Sequence, residues 1–333
     1  MRVLVTGGAG YVGSVSVERL VDAGHEVVVL DDLTTGHRES VPPTVSLEVG
    51  SYGDPDLIAR LLERARPDAI LHCAARSLVG ESVRDPSRYY RENVAGGIVL
   101  LEAARQANVR RIVFSSSAAV YGVPDTTPIP EDAPLRPINT YGETKRTFEG
   151  AMRFFGEAYG LRSASLRYFN VAGATERNGE LHEPETHLIP NVLRAAETGE
   201  PITLFGDDYA TPDGTCIRDY IHVADLADAH LTALEATAPD DARTDAPLIC
   251  NLGIGAGFSV RQVVEAAAAV VGRPIPETMG PRRAGDPPVL VAAPGRAREV
   301  LGWTANRATL EEMIGTAWRW RRANLDDEAR RRI

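Results

Sequence analysis

Thr6-Gly7-Gly8-Ala9-Gly10-Tyr11-Val12-Gly13 is the stretch on which the fold reading turns. It sets glycines at 7, 10 and 13, directly after an apolar run at 2–6 and directly before a helical pattern at 11–23. Glycines let main chain approach a pyrophosphate closely. The first turn of the following helix offers unpaired N–H groups and the positive end of its dipole. A second apolar run, 26–30, leads into Asp31. A carboxylate there suits the 2′- and 3′-hydroxyls of an adenosine ribose and repels a 2′-phosphate, so the pattern favours NAD over NADP. Asp32 is the neighbouring alternative for the same role, and an exposed turn would also explain it.

Further along, helical patterns at 56–65, 88–107 and 140–159 alternate with strand-like runs at 69–73, 111–115 and 163–167. That alternation predicts βαβ units and an α/β fold: a Rossmann-type, doubly wound parallel sheet. After residue 174 Gly, Pro, Thr and Glu become frequent, with helical pieces at 188–197, 223–236, 260–271 and 309–322. The expectation is a dinucleotide-binding domain over 1–174 and a smaller α/β substrate-binding domain over 175–333. The boundary is soft, because such a second region can return elements to the first sheet. The charged tail 326–333 is expected to fray.

The chain has 333 residues, 44% hydrophobic and 25% charged, which is enough for a sizeable core and excludes disordered and disulfide-scaffold classes. A net charge of −10 gives no electrostatic support for a nucleic-acid or anionic-membrane partner. No apolar run approaches the ~20 residues of a membrane span. The N-terminus opens on a strand-like run, not on a charged and then apolar leader. Cys73, Cys216 and Cys250 are scattered and odd in number, so they suggest neither a disulfide framework nor a metal site, and a reducing cytoplasm is expected.

Lys145 is the only lysine in a chain with 36 basic residues. A coding preference for arginine explains the skew, yet a guanidinium cannot replace a compact ammonium of adjustable pKa. Tyr141 precedes Lys145 by one helical turn, on one face. A nearby ammonium favours phenolate, so Tyr141 is read as an acid/base with its pKa lowered by Lys145. Ser115-Ser116-Ser117 close the strand-like run before them, at the edge where open α/β sheets bind ligands. A hydroxyl there can bond the oxygen that gains or loses a proton, although Ser115 and Ser116 also read as capping residues.

In these motifs the sequence resembles the extended short-chain dehydrogenase/reductase family over nearly its whole length. The glycine loop, Phe114-Ser115-Ser116-Ser117, the Tyr141-Gly142-Glu143-Thr144-Lys145 box, Arg167-Tyr168-Phe169-Asn170, Glu185-Thr186-His187-Leu188 and Arg282-Arg283 with Asp286 occur in that family's order. The activity implied is 4-epimerisation of a UDP-hexose, interconverting UDP-galactose and UDP-glucose with NAD as cofactor. Tyr141 is implied as the base at the 4-hydroxyl, Lys145 as its tuning residue and Ser117 as its hydrogen-bonding partner. For NAD the resemblance implies Gly7, Gly10, Tyr11, Val12, Asp31, Asp32, Ser51, Tyr52, Cys73, Ala74, Ala75, Ser115 and Tyr168, besides Tyr141 and Lys145. For the UDP-sugar it implies Asn170, His187, Leu188, Thr203, Phe205 on a uracil-facing strand, Arg218 and Arg283 on the diphosphate, Asp286 on the uridine ribose and Leu290 at the hexose gate. It also implies a homodimer paired through helices near 88–107 and 143–159.

Departures from the family pattern are specific. Ser51 stands where an acid is expected near adenine, Glu92 where an asparagine is expected, and Ser77 where some members carry lysine. Leu290 replaces the bulky tyrosine of some members, which leaves room for N-acetylated sugars. Ala118-Ala119 after Ser117 cannot do the acid and base work of a sugar-nucleotide dehydratase. Epimerisation of another UDP-sugar (acetylated, uronate or pentose) is the alternative reading, and a non-catalytic NAD-binding regulator is the rival of a different class.

Overall fold

The computed structural model describes residues 1–239, 247–283 and 286–331, with side chains to 324. Seven parallel strands form the central sheet: β1 (Arg2–Thr6), β2 (Glu26–Asp31), β3 (Ser46–Val49), β4 (Ala69–His72), β5 (Arg111–Ser117), β6 (Arg162–Tyr168) and, from much later in the chain, Leu248–Leu252. Their order is β3-β2-β1-β4-β5-β6 with Leu248–Leu252 at the far edge. The inner strands β1, β2 and β4 have apolar interiors because both sheet faces are covered there, whereas the edge strand β3 carries Ser46 and Glu48. Val3 and Val5 enter one core with helices α1 (Tyr11–Asp22) and 223–236, while Leu4 enters the other with α2 (Pro55–Ala65) and 96–106. Period-two alternation thus feeds two cores, as a doubly wound sheet requires.

The helix expected at 88–107 is not uniform. Short helices α3 (Val79–Arg84) and α4 (Pro86–Tyr89) lead into a π-turn over Tyr90–Ala95 and then α5 (Gly96–Gln106). A π-turn inserts one residue into the helical register, which turns Asn93 inward and leaves Glu92 facing the cleft. α6 (Thr140–Tyr159) is capped by Asn139, whose side chain accepts from Gly142 N at 2.9 Å, and stops at Gly160 in the left-handed conformation.

The smaller lobe begins with β7 (Asn170–Ala172) and α7 (Leu188–Thr198). It continues with β8 (Ile202–Phe205) and β9 (Ile217–His222). α8 (Val223–Ala236) then packs beneath the first sheet against α1, and β10 (Leu248–Leu252) pairs with β6. The chain therefore crosses back after residue 174 before finishing the small lobe with β11 (Gly257–Ser259), α9 (Val260–Val271), β12 (Glu277–Gly280) and β13 (Val289–Leu290). α10 (Gly295–Leu301) returns to the first sheet's core, and α11 (Leu310–Arg331) packs on α9. α11 carries helix through 326–331 of the tail expected to fray, and 332–333 lie outside the described residues. Among the described residues no helix is long and apolar enough to cross a membrane.

Candidate active site

A cleft of about 1960 Å³ runs between the carboxyl ends of the central strands and the small lobe. That is roughly twice the ~1,000 Å³ upper range of ordinary small-molecule sites, so it has room for two nucleotide-sized ligands end to end. Its lining includes every residue implied for the cofactor, the sugar nucleotide or catalysis except Ser115.

The dinucleotide half is built by backbone constraint. Gly7 has φ +73°, and a Cβ there would stand 2.5 Å from Ala74 N. A Cβ at Gly13 would collide with the Gly7 carbonyl. Gly10 differs: it precedes α1 with ordinary extended dihedrals and caps the helix with no side chain. Its nearest would-be contact, Gly7 O at 3.5 Å, is comfortable. Internal packing therefore does not demand glycine at 10, and the expected pyrophosphate contact at the open α1 N-terminus is a reason that packing does not supply. Asp31 is nearly buried; its two oxygens accept from Ala9 N and Leu33 N, each at 2.9 Å. Burial pushes its pKa up, opposed by those amides. A carboxylate has about four acceptor sites, so two remain for ribose hydroxyls. Asp32 is exposed and caps Thr34 N at 2.9 Å. Of the two acids, Asp31 is the one oriented by the loop. Ser51 accepts from Gly53 N at 3.1 Å, and the Tyr52 hydroxyl donates to Glu92 O at 2.7 Å. The residues present fit NAD.

In the middle of the cleft, Tyr141 faces Ser117 and is hydrogen-bonded to it. A Cβ on Gly142 would collide with the Ala119 carbonyl, so glycine is what lets the first turn of α6 close onto the segment after β5. Lys145 is buried and donates to Ser115 O at 2.7 Å, with its ammonium 4.6 Å from the Phe114 ring centre. Burial lowers its pKa to about 8. The expectation that Lys145 lowers the Tyr141 pKa is corrected here. Burial pushes Tyr141 up, and the opposing influence is the Ser117 hydrogen bond. The ammonium lies 5.7 Å from the tyrosine ring centre and points at Ser115. Ser115 itself lies under the cleft: its hydroxyl meets His230 Nε2 at 2.9 Å and donates to Cys73 Sγ at 3.3 Å. It positions Lys145 without facing the cofactor side.

The other half of the cleft comes from the small lobe. Arg218 and Asp286 are ion-paired, and Cys216 Sγ donates to Asp286 at 3.7 Å. Asp219 does not pair with Arg218. It is fully buried and accepts from the amides of Ile254, Gly255 and Ala292, with burial pushing its pKa up to about 6. The Arg283 guanidinium sits 4.1 Å from the Phe205 ring centre. Asn170 is hydrogen-bonded to Tyr220, and Thr203 meets Thr278 at 3.4 Å across β8 and β12. Leu290 lines the cleft wall and packs against the small core of Ala118, Val120, Tyr121 and Ile129.

Two elements went unread in the sequence. Asn93 accepts from Arg76 N at 2.8 Å and donates to Thr144 at 3.1 Å, while Thr144 donates to Tyr141 O at 2.8 Å. It ties the loop after β4 to the turn carrying Tyr141 and Lys145. The one signal was its place beside Glu92. The other is the buried pair Glu149–Arg167 at 2.6 Å, one turn beyond Lys145, with Ser116 donating to Glu149 at 2.6 Å and Arg167 donating to Tyr121 at 2.8 Å. No spacing rule joins 149 to 167.

A dinucleotide loop, a Tyr–Lys turn and a serine on one cleft define an NAD-dependent short-chain enzyme fold. Residues 3–253 match the NAD dependent epimerase/dehydratase family, and the chain belongs to it. It is 49% identical to the UDP-glucose 4-epimerase of Lactobacillus helveticus, covering 97% of this chain and 98% of that one. Identity to the UDP-glucose 4-epimerase of Streptomyces lividans is 52%, covering 96% and 95%. The crystal structure of UDP-glucose 4-epimerase from Brucella ovis in complex with NAD superimposes with TM-score 0.92 at 44% identity, covering 96% and 97%.

Proposed function

We propose that this chain is a UDP-glucose 4-epimerase, interconverting UDP-galactose and UDP-glucose at C4. The observation that carries this reading is the single cleft in which Tyr141 and Ser117 lie between the dinucleotide loop and the Arg218–Arg283–Asp286 group. Bound NAD supplies a reversible two-electron oxidation at the sugar carbon. Tyr141, as the phenolate that positive charge in the loaded cleft favours against burial, takes the proton of the 4-hydroxyl as that carbon becomes a ketone, with Ser117 bonded to the same oxygen. Lys145 holds positive charge beneath them. Arg218 and Arg283 grip the diphosphate with planar donor forks, and Asp286 takes the uridine ribose. The anchored nucleotide lets the 4-keto hexose turn its other face, and Tyr141 returns the proton. Ala118 and Ala119 supply neither acid nor base for dehydration.

The same reading sets the enzyme in the cytoplasm, supported by three free cysteines. It also makes the enzyme a homodimer, supported by the exposed apolar side chains Ile98 and Phe154 on α5 and α6. Proton NMR of the purified protein with UDP-galactose tests the activity. The expected result is UDP-glucose at equilibrium, with or without added NAD. No product after NAD addition rejects the reading and moves the search to acetylated, uronate and pentose UDP-sugars. Light scattering checks the dimer.

A further inference from the structure

Between β7 and α7 the chain brings together Glu180, His182, Glu185 and His187. One side-chain donor atom from each lies within 4.8 Å of all the others. His182 Nδ1 is 2.7 Å from Glu180 Oε1. His187 Nδ1 lies 2.9 Å from the same oxygen and 2.8 Å from Glu185 Oε1. Both carboxylates are largely buried, with side-chain exposures of 8% and 12%. One imidazole nitrogen therefore faces two buried carboxylates, and a single N–H cannot satisfy both well. A dication satisfies them together and neutralises both charges.

We propose that Glu180, His182, Glu185 and His187 form a divalent transition-metal site of the zinc class, which clamps the 180–187 segment over the cleft. Two imidazoles with two carboxylates select zinc-like ions over magnesium or calcium, which take all-oxygen shells. Bonds of about 2.0–2.2 Å in a tetrahedron place donor atoms about 3.4 Å apart, within the span this cluster already covers. Four protein donors close the shell, so the ion is structural and offers no position to a reacting water. What it fastens is specific. His182 makes an edge contact with Tyr11 of the dinucleotide loop at 6.5 Å, and the Leu181 carbonyl lies 3.3 Å from His37 Nε2, beyond β2. His187 is the residue before α7, whose Leu188 and Asn191 line the cleft. The clamp thus joins the cofactor side of the cleft to its substrate side. These donors are nitrogen and oxygen, so the cysteine count carried no sign of them.

The test uses the NAD-loaded protein, stripped with a chelator and then titrated with Zn²⁺ alone by calorimetry. Metal content is read by mass spectrometry after gel filtration. The expected result is one zinc per chain and a raised melting temperature, with Mg²⁺ at the same concentration producing neither. The His182→Ala/His187→Ala double variant, checked for helical content and retained dinucleotide, is expected to lose detectable stoichiometric binding. Wild type that retains no zinc, a folded double variant that retains as much, or equal binding of Mg²⁺ overturns the proposal. If the double variant fails to fold, Co²⁺ on wild type decides. Intense visible bands of a tetrahedral ion support the site, and the weak bands of an octahedral ion overturn it.

Discussion

Lys145 Nζ donates to the main-chain carbonyl of Ser115 at 2.7 Å, while the Ser115 hydroxyl is held by His230 Nε2 at 2.9 Å. The strand that ends in the serine run thus grips the ammonium by its backbone and is itself gripped by α8. The slot suits a compact, buried ammonium and not a guanidinium. Lys145→Arg is expected to lower turnover by ~100-fold or more while the fold persists. Steady-state kinetics beside circular dichroism checks this; near-normal turnover removes Lys145 from the chemistry.

Tyr141→Phe keeps the ring and removes the hydroxyl. Turnover is expected to fall by roughly 10²–10⁴-fold, the usual contribution of a general acid–base group. Dinucleotide retention, read by absorbance of the denatured supernatant, is expected to be unchanged. A fall in bound dinucleotide instead would assign Tyr141 to binding.

The glycine loop separates packing from binding. Gly13→Ala drives a Cβ into the Gly7 carbonyl and is expected to lower the melting temperature by several degrees. Gly10→Ala meets only an ordinary contact at 3.5 Å and is expected to leave the dinucleotide-free protein's melting temperature nearly unchanged while weakening cofactor retention. Thermal unfolding with and without NAD distinguishes them. Equal destabilisation by both substitutions contradicts the pyrophosphate assignment.

Leu290, on β13, lines the cleft beside the cluster that holds Tyr121, and the proposed function makes it the gate of the hexose end. The wild type is expected to turn over UDP-N-acetylglucosamine as well as UDP-glucose. Leu290→Tyr is expected to cut the acetylated rate by ~10-fold or more, with a smaller effect on the plain sugar. Parallel assays on both sugars decide, and an unchanged ratio excludes Leu290 as the gate.

Acid stability follows from buried neutral histidines. Burial lowers the pKa of His72 and His230 to about 3. Between there and the unfolded ~6.5 the unfolded chain binds more protons, so this stability is full above ~6.5 and is lost as pH falls toward the folded values. Asp219, raised to about 6, contributes in the opposite sense below that pH. His230→Gln is expected to flatten the loss of melting temperature between pH 7 and pH 5. An unaltered slope would refute its share.

What could be read in the sequence was local. Gly7, Gly10 and Gly13 between a strand and a helix, Asp31 closing β2, and Tyr141 one turn before Lys145 all depend on spacing along a strand or one helical turn. α6 was readable to the residue because Asn139 and Gly160 stop it at both ends. β10 was not. Leu248–Leu252 is short and mixed in polarity, and it acquires strand character by pairing with β6, some eighty residues earlier in the chain. The π-turn at Tyr90–Ala95 was equally hidden, since the apolar pattern of α5 runs on through it.

By itself, then, the sequence determined the doubly wound sheet, and it named Asp31 as a candidate ribose reader and Tyr141, Lys145 and Ser117 as candidates for proton transfer. Each follows from periods of two or 3.6 residues and from which side chains can ionise. Only the tertiary structure decided how those groups are charged and aimed. Burial raises the Tyr141 pKa, Lys145 turns to Ser115, Arg218 pairs with Asp286 and not with its neighbour Asp219, and two glutamates converge on His187. Desolvation and electrostatic attraction depend on distances through space, and no spacing along the chain carries those distances.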